Sequence, residues 1–258
     1  MDLPLAVGLS LGVALLGWGL RGLTPAGAGT AVLVGTGILW PTGWEGMAAL
    51  GAFFFGASAI SRVAPDKSVA AVDAKGHRRD PWQVLANGGS AALGALLEFL
   101  LPGSGIWIVT ASLATAAADT WATSTGGWSR VAPRDVITGR PVPAGTSGGI
   151  TWLGSLGALA GAASVAGAAI LVHAPRVLFP AALTIGMLGM LADSVLGATL
   201  QGRFHCGACN RPTERRVHRC GQAATPVGGL AWLSNDGVNA LATAGGAGLG
   251  LLAWHFFS

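Results

Sequence analysis

Long apolar runs, almost free of charge and separated by short basic loops, restrict this chain more than any other feature. In hydrocarbon every backbone amide needs an internal partner, and only helices or closed barrels supply one. The runs do not alternate apolar with polar residues, so they read as helices. Eight can be drawn: Leu3 to Leu20, Gly27 to Trp40, Gly46 to Ile60, Val84 to Leu101, Ile106 to Ala118, Ile150 to Val172, Val177 to Leu200 and Val238 to Phe257. Several fall short of the roughly 20 residues of a full crossing, so seven spans also fit. Charged residues make up only 10% of the chain, against about 25% in soluble domains; lipid must face most of the surface. The 42 glycines suit close helix approach. The expectation is an all-α, polytopic transmembrane helix bundle, one membrane domain over 1–258 with a basic Cys/His loop at 202–226. Met1-Asp2 lacks the basic flank of a signal peptide, so the first run is kept as a span.

The basic residues test this layout, because cytoplasmic loops retain Lys and Arg. With eight spans, the odd-numbered loops hold Arg21, then Arg62, Lys67, Lys75, Arg78 and Arg79, then Arg130, Arg134 and Arg140, then Arg203, Arg211, Arg215, Arg216 and Arg219. Only Arg176 falls on the other side. Basic loops inside and both termini outside are expected, in a cell membrane. The net charge of +4 thus reflects sidedness; no stacking motif or recognition helix accompanies it, which argues against nucleic acid as a partner.

Three stretches share one plan. Basic loops lead into QVLANGGSAALG with Gly88 and Gly89, PAGTSGGITWLG with Gly148 and Gly149, and ATPVGGLAWLSND with Gly228 and Gly229. Asp119 closes the fifth span and Asp193 lies near the end of the seventh. Two-span units in one orientation would be related by an axis along the membrane normal and would gather these elements on one side.

A carboxylate in apolar surroundings costs about 2.5 to 3.5 kcal/mol even on insertion scales. Asp119 and Asp193 therefore read either as structural hydrogen-bonded acids or as ligands of a divalent metal, with Asp236 as a third donor. Magnesium suits oxygen ligands and bridges to phosphates. Helix starts with Gly-Gly elements offer amides to phosphate, or serve only as packing and turn residues. Asn235 and Asn239 share a helix face, and Gly189, Asp193, Gly197 and Gln201 form a stripe that should face a neighbour. Cys206, Cys209, His218 and Cys220 offer four zinc ligands, the first pair at standard spacing and the second tighter than usual; a free-thiol loop at lipid headgroups is the other reading. His205 is a spare ligand. Lys75 and Arg79, in the most charged stretch, are solvated by default and clamps if phosphate chemistry happens here.

The ordered motifs KGHRRDPWQVLANGG, ADTWATSTGG, TGRPVPAGTSGGITWLG, ADSVLGATLQ and WLSNDGVN resemble the membrane-protein family that contains transmembrane protein 19 and the plant chloroplast phytyl-phosphate kinase. The likeness runs from about Leu23 to the end. It implies a multi-span protein and, from the plant member, transfer of a phosphoryl group from a nucleoside triphosphate, CTP-like, to a prenyl monophosphate. Carried over by motif, Asp119, Asp193 and Asp236 would hold Mg2+. Asn87, Arg140, Thr146, Ser194, Gln201, Asn235, Asn239 and the Gly-Gly pairs would surround substrate phosphates. The chain departs from the family's DTWASE form, carrying Ser124-Thr125 where an acid often follows. An ion-coupled transporter or lipid-handling protein, and a scaffold whose zinc loop recruits a partner, are the competing readings.

Overall fold

In a computed structural model, which describes residues 1–64 and 78–257, the chain is a bundle of apolar helices with all its strands in the loops at one end. The helices are α1 (Leu3–Gly19), α2 (Pro25–Val63), α3 (Pro81–Ala95, continued by a 3-10 turn over Leu96–Phe99), α4 (Ser104–Gly126), α5 (Trp152–Leu171), α6 (Leu178–Thr199) and α7 (Asn235–Phe257). Short polar side chains set the starts of all but α4 and α6. Asp2, Thr24, Asp80, Thr151 and Ser234 each accept a hydrogen bond from the amide three residues on, and Asp80 completes a capping box with Gln83. Pro25 and Pro81 occupy first helical positions, where no amide is needed.

Helix α2, at 39 residues, is two limbs. Gly43, at φ 65° and ψ −141°, breaks it after Pro41. A Cβ on Gly35 would meet both Ser10 of α1 and Leu50 beyond the break. Residues eight before and seven after Gly43 are thus neighbours, and the limbs 25–42 and 44–63 fold back on each other. Among the described residues, four helices are long and apolar enough to cross a membrane, α2, α5, α6 and α7. Counting the α2 limbs separately gives eight apolar helical segments, in the order and places expected. Large apolar side chains point outward throughout, among them Leu33, Leu93 and Leu171, each more than 70% exposed, as lipid contact requires.

Helix α4 is the hub. It packs against α2, α3, α5, α6 and α7, and from Ser104 to Ala118 all but one residue is buried. Its expected end at Ala118 is corrected to Gly126: polar residues stop the hydropathy signal two turns before the helix stops, because they face other helices. Glycines let α6 and α7 approach α4: a Cβ on Gly186 would press Ala114, and Cβ atoms on Gly189 and Gly246 would collide with Thr115. Hydrogen bonds tie α7 to α4 and α3, from Ser112 Oγ to the Thr243 carbonyl at 3.1 Å and from Thr243 Oγ1 to the Ala86 carbonyl at 2.8 Å.

The strand-bearing end holds structure too short for sequence periodicity to reveal. Strands β1 (Arg134–Asp135) and β2 (Gly149–Ile150) pair antiparallel between α4 and α5. Strands β3 (Arg203–Cys206), β4 (Arg211–Thr213) and β5 (Thr225–Gly228) form an antiparallel sheet in the order β4-β3-β5 between α6 and α7. Trp82, Trp152 and Trp232, all at least 70% exposed, stand at or just before the starts of α3, α5 and α7. Amphipathic rings of this kind settle at the headgroup level, so they mark one boundary of the apolar belt.

Candidate functional site

Asp119 and Asp193 are brought into hydrogen-bonding contact where α4 meets α6. The sequence accounts for the meeting. Thr115 lies one helical turn before Asp119 and Gly189 one turn before Asp193; because Gly189 has no side chain, the helices close on Thr115, and the next turn places the carboxyl groups together. Helix α7 supplies the third member. The Asn239 amide nitrogen donates to Asp193 Oδ1 at 2.9 Å and to the Asn235 carbonyl at 3.2 Å. Asp236 lies three residues before Asn239 and Thr243 four after, so Asp236 shares the α7 face of Thr243, where α7 meets α3 and α4. Asp119 is seven residues from the end of α4, Asp193 six from the end of α6 and Asn239 four into α7, or about 6 to 10 Å below the strand-bearing end at 1.5 Å per residue.

Two ionised carboxylates can only accept hydrogen bonds, so this contact needs a shared proton or a cation. An all-oxygen donor set of acids and an amide carbonyl suits magnesium. Among the described residues, the Gln201 amide nitrogen, at the end of the α6 stripe, is buried and unpartnered, as is the Thr110 hydroxyl further back on α4. The stripe faces neighbours along its length: Gly189 on Thr115, Gly197 on Ser147 and Gly148, Gln201 beneath Gly229.

Other residues singled out in the sequence are not all at this junction. Gly88 and Gly89 lie inside α3, not at its start, so their amides are committed to the helix; Gly88 packs on Val34. Gly148 and Gly229 adopt positive φ, 82° and 67°, and bring the backbone onto the end of α6, Gly148 over Ser194 and Ala198, Gly229 over Leu200 and Gln201. Gly149 and Gly228 are paired in strands β2 and β5, and the Gly149 amide donates to the Thr146 carbonyl. These pairs make close turns, which explains them without a ligand. Asn87 donates to the Gln83 carbonyl within α3. The Thr146 hydroxyl closes a turn on Pro143, Arg140 is exposed, and the Ser194 hydroxyl lies against the Met190 sulfur at 4.0 Å. Thr125 shares its hydroxyl between the Trp121 and Leu153 carbonyls and binds α4 to α5. Lys75 lies outside the described residues.

Arg79 sits elsewhere. Its backbone bonds Gly22 and Thr24 at the α1–α2 turn, and its guanidinium lies 5.3 Å from the Phe53 ring centre and 5.9 Å from that of Phe54. Burial lowers its pKa to about 10, still cationic at neutral pH. Among the described residues it is the only charged group lining an apolar groove of about 100 Å3 among α1, α2 and α3, walled by residues such as Val13, Val34, Leu39, Leu50 and Phe54. No residue of the carboxyl junction lines this groove.

A second cluster occupies the sheet before α7. The ligand atoms of Cys206, Cys209, His218 and Cys220 all lie within 4.8 Å of one another. His218 lowers the Cys220 thiol to about 6, and Cys220 in turn raises Cys209 to about 11. His205 pairs in the sheet with Pro212 and Thr225 and is not among the four. Sequence reasoning missed two ties to this region: Ser147 Oγ donates to Glu214 Oε1 at 2.5 Å, and Arg216 donates to the Ala231 carbonyl. Neither carries a motif: the first joins loops 67 residues apart and the second spans 15 residues of one loop.

Residues 8–247 match the family described as integral membrane protein DUF92. Protein PGR of Arabidopsis thaliana is 31% identical, over 91% of this chain and 90% of its own length. An uncharacterised membrane protein of Synechocystis, sll0875, is 31% identical over 70% of this chain and 73% of its own. No solved structure matches.

Proposed function

We propose that this chain, which belongs to the DUF92 family of integral membrane proteins, is a prenyl-phosphate kinase that moves a phosphoryl group from a nucleoside triphosphate, CTP-like, to a prenyl monophosphate. The observation that carries the reading is the contact between Asp119 and Asp193 beside Asn239, three polar groups from three helices within an apolar bundle. Asp119 and Asp193, with Asp236 on the adjoining face, would hold Mg2+. A bound divalent ion of this kind neutralises charge on phosphate oxygens as they transfer.

The chain's own groups do the rest. Asn239 fixes the orientation of Asp193 through its amide and is itself anchored to the Asn235 carbonyl. The Thr115 wedge between Gly189 and Gly246 sets the spacing of α4, α6 and α7. The acceptor is a phosphate oxygen, largely ionised at neutral pH, so no strong base is needed. Positioning and charge neutralisation carry the rate. In this reading the strand-bearing, basic end is cytoplasmic and both termini are outside.

Protein purified in detergent and supplied with Mg2+, CTP or ATP, and prenyl monophosphates of several lengths tests this reading. Prenyl diphosphate should form, and Asp193→Asn should abolish it. Absence of diphosphate under every combination would end the proposal. The same carboxyl pair suits ion-coupled transport; cation-dependent flux in proteoliposomes without diphosphate formation would favour that alternative.

A further inference from the structure

We propose that Cys206, Cys209, His218 and Cys220 hold one structural zinc ion, which braces the β3–β5 sheet between α6 and α7. Zinc is bound tetrahedrally, with thiolate sulfur at about 2.3 Å, so sulfur ligands sit about 3.8 Å apart along a tetrahedral edge. The Cys206 and Cys220 sulfurs are 3.6 Å apart, and His218 Nδ1 is 3.1 Å from the Cys220 sulfur. The full set of donor atoms falls within 4.8 Å. Three thiols and an imidazole, with no carboxylate among them, select a soft or borderline ion over magnesium.

The backbone supports the same arrangement. Cys206 ends β3 and Cys209 sits in the turn to β4, where Asn210 takes φ 51°. His218 and Cys220 occupy a second turn, closed by the Gly221 amide on the His218 carbonyl and by the Val217–Ala223 bridge, with Gly221 at φ 83°. Two tight turns thus face each other and each offers two ligands. This tightness also explains how the short His-x-Cys spacing works: the turn, and not a helix, presents the pair.

The segment needs such a brace. Between Arg203 and Ala231 only Phe204, Cys206 and Thr213 are buried, too little apolar surface to order some thirty residues. Yet the segment is tied on both sides, through Glu214 to Ser147 and through Arg216 to Ala231, just ahead of the helix that carries Asn239. The ion would therefore set the approach to α7. The inference does not depend on the phosphoryl-transfer reading.

Elemental analysis of the full-length protein in detergent tests it, with one zinc per chain expected. Cobalt exchanged into the site should show the visible bands of a tetrahedral ion and thiolate charge transfer. Cys209→Ser should weaken retention against a chelator. If that variant fails to fold, stripping metal from the unmodified protein should lower its melting temperature, and zinc, but not magnesium, should restore it. Iron as the resident metal, a Cys206–Cys220 disulfide found by mass, six-coordinate cobalt, or metal-free protein with unchanged melting would each overturn the proposal.

Discussion

Gly189→Ala should act on the carboxyl junction through a single methyl group. The added Cβ would lie 2.5 Å from Thr115 Oγ1 and 2.9 Å from Thr115 Cβ, and would overlap Thr115 Cγ2. Ordinary contact begins at 3.4 Å, so α6 and α4 must part by about 1 Å. Overpacking of this kind costs about 1–3 kcal/mol. The Asp119–Asp193 contact, one turn further on, must widen with it, and a misplacement of about 1 Å can lower a rate about 100-fold. Phosphoryl transfer and thermal unfolding in detergent, read beside Gly245→Ala at a position with open space around it, separate the two costs. Thr115→Ala combined with Gly189→Ala removes Oγ1 and Cγ2 and should recover part of both losses, a coupling a double-mutant cycle measures. If Gly189→Ala matches Gly245→Ala in melting and rate, the close approach of α4 and α6 is not what sets the site.

Asn239→Leu removes the donor to Asp193, a hydrogen bond worth about 1 kcal/mol; transfer should fall while the apolar packing of α7 persists in unfolding assays. Gly43→Ala forces an alanine to φ 65° and ψ −141°, a strain of about 1–3 kcal/mol, and should lower the melting temperature. Ser147→Ala releases the loop between α4 and α5 from Glu214, which should cost about 1 kcal/mol and speed proteolysis of the strand-bearing end, with the helices left intact.

Hydropathy was enough to locate every helical segment, including the reversal in α2, because Pro41 and Gly43 interrupt an otherwise apolar run. It misjudged α4, since Asp119, Thr120 and Ser124 look like loop residues until their neighbours are known. The acids were legible because charge in an apolar run demands a reason. The role of Asn239 needed the packing angle between α6 and α7. Gly-Gly pairs that look alike in sequence differ in place: Gly88 and Gly89 lie within α3, while Gly148 and Gly229 turn the chain over α6. No local signal separates a glycine that frees an amide from one that makes room for a neighbour. The strands of the described residues, two to four residues each, are too short for alternation to register, though the Cys-x-x-Cys spacing at the β3–β4 turn is visible at once.

The most direct measurement follows labelled γ-phosphate from CTP or ATP into prenyl diphosphate, comparing the unmodified protein with Asp119→Asn and Asp193→Asn at matched folding. Label should reach the lipid product only with divalent cation present and only when both acids are intact. Transfer that survives in both variants, or label that never leaves the nucleotide, would contradict the account.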